Sequence, residues 1–121
     1  MSDLNFILLY VDNPVASANF YARLLDKKPV ESSDTFALFV LNSGVKLGLW
    51  SKHTVEPVAT AVGGSELAFS VADNNAVRHC HADWSKHGLV IVQEPTEMDF
   101  GFTFVAADPD GHRLRVFAPS A

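Results

Sequence analysis

FILLYVDNPVASANFYARLLD (residues 6–26) decides the fold, because ELAFSVADNNAVRHCHADWSKHG (residues 66–88) repeats its plan. In the first stretch, Phe6 to Val11 form an apolar run of strand length and strand-forming composition. Asp12 and Asn13 are candidate helix N-caps, and Pro14 fits the first helical position, where its missing N–H is no loss. Val15, Ala18, Phe20, Tyr21, Leu24 and Leu25 then recur at amphipathic helical spacing until Pro29 stops the run. In the second stretch a strand again runs into a capping residue, Asp73, and the helix that follows ends at Gly88.

Working outward, each helix is followed by three candidate strands. After the first come PVESS (29–33), TFALFVLN (35–42) and VKLGLWS (45–51), the last two joined through Asn42, Ser43 and Gly44 as a hairpin turn. After the second come LVIVQEP (89–95), FGFTFVAA (100–107) and HRLRVFAP (112–119). The looser stretch KHTVEPVATAVGGS (52–65) links the halves. The expectation is a single α+β domain over residues 1–121 with β-α-β-β-β repeats at about 4–52 and 65–118, and helices over roughly 14–26 and 73–87.

Duplicated units usually enclose a site, so their matching positions matter. Asp108-Pro109-Asp110-Gly111 reads as a tight turn, and the strand behind it alternates. His112, Leu114 and Val116 share one face; Arg113, Arg115 and Phe117 share the other. Matching the closing strands of the two halves pairs Trp50 with Phe117 and Gly48 with Arg115.

Composition narrows the function. Hydrophobic residues make up 48% and charged residues 19%, a globular balance. A formal net charge of -5 and the lack of a Lys/Arg run argue against a nucleic-acid partner. No apolar segment is long enough to span a bilayer, and the opening residues lack a basic secretory n-region, so no membrane association is expected. One cysteine, Cys80, suits a reducing, cytoplasmic setting.

Other chemistry is weak. His79, Cys80, His81 and His87 crowd one helix, but residues two apart on a helix diverge by about 200° and do not converge on one ion. Cys80 reads as core beside Ala76, Val77 and Trp84, with the histidines solvated. No Ser or Cys has a nucleophile elbow, and VGGSE (62–66) lacks the spacing of a phosphate loop. No catalytic residue is assigned.

LLYVDNPVASANFYARLLDKKPV (8–30) and FTFVAADPDGHRLRVF (102–117) resemble the opening and closing motifs of the vicinal oxygen chelate superfamily of glyoxalases, bleomycin-resistance proteins and extradiol dioxygenases. The resemblance implies two βαβββ modules curled around a cleft, usually in a homodimer. It also implies where a divalent metal would be held: here those places carry Asn5 or Phe6, Gly48, Glu66 and Arg115. One carboxylate facing a permanent cation is a poor ligand set, since the guanidinium has no lone pair to give. No metal and no cofactor are therefore expected. Arg115 stands in the ion's place with Glu66 as its partner, unless Arg115 is a solvated rim residue unrelated to Glu66.

By alternation from Gly48 and Arg115, Trp50 and Phe117 face the cleft, while Phe36, Phe39, Phe100, Phe102 and Phe104 read as core. A cleft with two aromatic faces and an arginine suits a flat, partly anionic aromatic guest. LGLWSKHTVEPVA (47–59) and the closing hairpin further resemble the superfamily's metal-free phenazine-binding branch, which implies a stacking role for Trp50. The expected function is sequestration of a small planar aromatic compound, with Trp50, Phe117, Arg115, Glu66 and Gly48 at the binding site. The alternative is a divergent metal-dependent lyase of the glyoxalase type, with Glu66 as ligand or general base and other ligands from Asn5 or a partner chain.

Overall fold

The computed structural model describes residues 1–120. Its first unit runs to Val62 and its second begins at Gly63. The first holds β1 (Phe6–Val11), α1 (Pro14–Leu25), β2 (Glu31–Ser32), β3 (Phe36–Val40) and β4 (Lys46–Ser51). The second holds β5 (Glu66–Ser70), α2 (Asn74–Lys86), β6 (Val90–Met98), β7 (Gly101–Ala107) and β8 (Arg113–Pro119). Both are βαβββ modules, and their four-stranded sheets share one topology, β1-β4-β3-β2 and β5-β8-β7-β6. The opening strand of each lies parallel to the closing strand, and the remaining pairs are antiparallel.

The helix starts follow from capping chemistry. Asn13 Oδ1 accepts from the Ala16 N–H at 3.1 Å, and Pro14 occupies the first turn. Asp12, the other candidate cap, instead turns to His53, whose Nε2 lies 2.8 Å from its Oδ1. Asp73 caps α2 through the Ala76 N–H at 2.8 Å. At the end of α1 the chain stops before Pro29, because Asp26 adopts the left-handed conformation (φ 51°).

Each sheet buries one face under its helix. In the first module Val11, Tyr21, Phe39 and Leu49 are completely buried. In the second, Trp84 of α2 packs edge-to-face on Phe69 and Phe104, with ring centroids 5.9 and 5.3 Å apart. Burying such rings contributes about 1.5–3 kcal/mol each from apolar area.

Two strands depart from expectation. PVESS contributes only the short β2, Glu31–Ser32. LVIVQEP continues three residues past Pro95, as far as Met98. The strand absorbs the proline because β6 is an edge strand whose pairing with β7 slips in register between Ile91 and Gln93 and again between Gln93 and Thr96.

Candidate functional site

The closing strand of the second module carries a polar cluster. Phe69 and Phe104 point to α2, so alternation turns Glu66, Ala68, Thr103, Arg115 and Phe117 to the opposite face. There Arg115 Nε donates to Glu66 Oε1 at 2.6 Å. The two side chains retain 18% and 33% of their exposure, so the pair is partly shielded from water. Arg115 Nη1 donates to Thr103 Oγ1 at 3.1 Å and to Gln93 Oε1 at 3.4 Å. Thr103 is fully buried, and its hydroxyl donates in turn to the Val116 carbonyl at 2.8 Å, which fixes its lone pairs toward the guanidinium. The guanidinium carbon lies 5.5 Å from the Phe100 ring centroid, and Phe100 packs edge-to-face on Phe117 at 5.9 Å. Arg115 is thus held on several sides and does not wave at a rim.

The equivalent face of the first module is apolar. Opposite Leu8 lies Gly48, and opposite both Tyr10 and Phe36 lies Trp50. A Cβ at Gly48 would meet Leu8 Cδ2 at 2.6 Å and the Phe36 and Phe6 rings at 3.1 Å. The glycine is therefore the floor that lets three side chains close over β4. Trp50 is half-buried and meets Phe36 edge-to-face, with centroids 6.2 Å apart and planes at 89°. Phe6, Leu8 and Tyr10 continue this face along β1, between 39% and 43% exposed.

The register resolves which residue matches Glu66. Glu66 lies opposite Arg113, two residues before Arg115; Phe6 lies opposite Lys46, two residues before Gly48. Phe6 and not Asn5 takes that place. A metal of the kind the vicinal oxygen chelate enzymes hold does not fit these residues. Phe6 and Gly48 offer no donor, the space over Gly48 is filled by hydrocarbon, and the Glu66 carboxylate is engaged by a permanent cation.

Several expectations need correction. Phe36 and Phe100, read as core, lie on the faces that carry Trp50 and Arg115, and Phe100 is 42% exposed. His81, read as solvated, is largely covered and packs against Phe104 at 5.2 Å. Its Nε2 lies 2.8 Å from Glu94 Oε2, but off the hydrogen-bonding direction. Gln93 and Thr103 were not singled out in the sequence. Thr103 sits two residues along from Val105, the partner of Arg115 in β7, and alternation alone could have found it.

Two other clusters are accounted for by the fold. Asp108, Asp110 and His112 bring donor atoms within 4.8 Å of one another. Asp108 Oδ1, however, accepts from the backbone N–H groups of Asp110 and His112, both at 2.9 Å, and Oδ2 meets His112 Nδ1 at 2.7 Å. This ties the DPDG turn. Burial and the neighbouring Asp83 push the Cys80 thiol up to about 11, which favours the protonated thiol over the thiolate at neutral pH. Among the described residues no helix is long and apolar enough to cross a membrane.

Comparison with known proteins agrees with this architecture. Residues 3–116 match the model of the Glyoxalase/Bleomycin resistance protein/Dioxygenase superfamily. The chain is 32% identical over 115 residues to the phenazine antibiotic resistance protein EhpR of Enterobacter agglomerans, covering 93% of this chain and 88% of that protein. Protein ATC0852 from Agrobacterium tumefaciens, solved in solution, is 55% identical with a TM-score of 0.91 and full coverage of both chains. A glyoxalase-related enzyme from Fulvimarina pelagi shares the fold at 22% identity, with a TM-score of 0.84 over 98% of this chain and 88% of that one. With paired βαβββ modules and a family match over nearly its whole length, the chain belongs to the Glyoxalase/Bleomycin resistance protein/Dioxygenase superfamily.

Proposed function

We propose that this protein binds and sequesters a small planar aromatic compound, of the kind a phenazine antibiotic represents, without metal and without turnover. The relation to the phenazine antibiotic resistance protein EhpR, 32% identical over 93% of this chain, carries the reading. The site chemistry supports it. Trp50 is half-buried and meets Phe36 edge-to-face, so part of its indole stays accessible to a stacking partner. In the second module, Phe117 and Arg115 offer an aromatic surface and hydrogen-bond donors of their own. Sequestration needs no catalytic group, and neither Cys80 nor the DPDG cluster supplies one.

Titration of the protein with phenazine, followed by tryptophan fluorescence, tests this reading. The expected result is saturable quenching at one equivalent per chain, lost in Trp50→Phe as the quenched emission disappears and retained in Trp84→Phe. A parallel lyase assay on a thiol hemithioacetal, with divalent metal added, should give no turnover. Metal-dependent turnover together with no phenazine binding would overturn the proposal.

A further inference from the structure

The arginine of the site is already neutralised. Its Nε is committed to Glu66 at 2.6 Å, and both Nη1 hydrogens are directed to Thr103 and Gln93. Among the described residues, Nη2 of Arg115 and Oε2 of Glu66 have no hydrogen-bond partner. The pair therefore presents a donor group, Nη2, next to an acceptor, Oε2, with no net charge, beside the Phe100 and Phe117 rings. A carboxylate approaching this edge gains the Nη2 donor but meets the partly shielded charge of Glu66, whose side chain is 33% exposed. A carboxamide, or any group that carries a donor next to an acceptor, can satisfy both halves.

From this we infer that Glu66 acts as a charge filter: the site selects planar aromatic ligands that are net neutral with a donor–acceptor edge over their carboxylates. The inference rests on the sequestration reading for its ligand class. It differs from the expectation of a partly anionic guest, because Glu66 holds the Arg115 charge.

The test compares phenazine-1-carboxamide with phenazine-1-carboxylate at neutral pH in the wild-type protein and in Glu66→Gln. The glutamine keeps the length and one acceptor for Arg115 Nε while removing the charge. The wild type should bind the carboxamide more tightly, and Glu66→Gln should move the affinity ratio toward the carboxylate by about tenfold or more, the scale of one charge-assisted contact. A wild-type preference for the carboxylate, or a ratio that Glu66→Gln leaves unchanged, overturns the inference even if both compounds bind.

A second measurement separates this outcome from failure of the sequestration reading. The Nε–H resonance of Arg115 is followed by NMR while benzoate is added. Benzoate should leave it in place in the wild type and shift it in Glu66→Gln. If neither phenazine binds either protein, sequestration fails, and the benzoate titration alone decides the charge filter. Equal shifts in both proteins would reject it.

Discussion

Trp50 and Trp84 stand in opposite situations, and substitution should separate them. Trp84 is only 8% exposed and packs between Phe69 and Phe104, so Trp84→Ala is expected to destabilise the fold by about 3–5 kcal/mol. Trp50 lies on the face turned from the helix and is only half-buried. Trp50→Ala should weaken binding of phenazine about fivefold to hundredfold, the equivalent of about 1–3 kcal/mol of stacking, and lower the melting temperature far less than Trp84→Ala does. Isothermal titration and thermal melts of the two variants check this; a Trp50→Ala protein that unfolds outright would make Trp50 a core residue. The orientation of Trp50 was legible because strand alternation from Gly48 determines it. The partners of Arg115 were less so. Gln93 reaches the guanidinium from a strand whose register slips on both sides of it, and Phe100 sits in the turn before β7, where no period applies.

At the scale of elements, caps and turns were legible wherever a side chain does the work. Asn13, Asp73 and Gly44 (φ 91°) sit where their chemistry demands. What escaped was conformation imposed by neighbours: the left-handed Asp26 ending α1 early, and the passage of β6 through Pro95. Gly101 belongs to this second kind. Its φ is 146°, and a Cβ there would collide with the Ala118 carbonyl oxygen of the adjacent strand. Gly101→Ala should therefore destabilise by at least about 2 kcal/mol, measured by denaturant unfolding, whereas Gly48→Ala meets first the movable end of an exposed Leu8 and should be milder. The turn before β8 carries a pH dependence. Its hydrogen bond to Asp108 raises the His112 pKa above 6.5, against the opposing effect of burial. A raised value means that folding favours the protonated ring. The stabilisation is fully present below pH 6.5 and is lost as pH rises through the higher folded value. Melting temperatures taken upward from pH 6 should show this decline, and His112→Gln should remove it.

For the molecule as a whole, the repeat was legible because each module must bury a sheet under its own helix, which forces the same apolar pattern twice. Association was expected only from family resemblance, and the strands supply a physical argument for it. Edge strands are commonly blunted by charge, proline, bulges or shortness. β2 is two residues long, β6 carries Glu94, Pro95, Glu97 and register slips, and β5 opens on Glu66. β1, FILLYV, at the edge of its sheet, has no charge and no proline, and Phe6, Leu8 and Tyr10 remain 39–43% exposed along one face. A second copy that adds to this uncharged edge would pair its free backbone groups and shield part of these side chains, at about 25 cal/mol per Å² of apolar area. The net charge of -5 opposes association only weakly, because at physiological salt charges are screened beyond about 8 Å. Sedimentation equilibrium at micromolar concentration is therefore expected to report a homodimer, the commonest closed assembly. Leu8→Lys should shift it toward single chains without unfolding them, since Leu8 is 43% exposed. A wild-type protein that sediments as one chain at that concentration would rule this out and leave the β1 face to be explained by a different occupant.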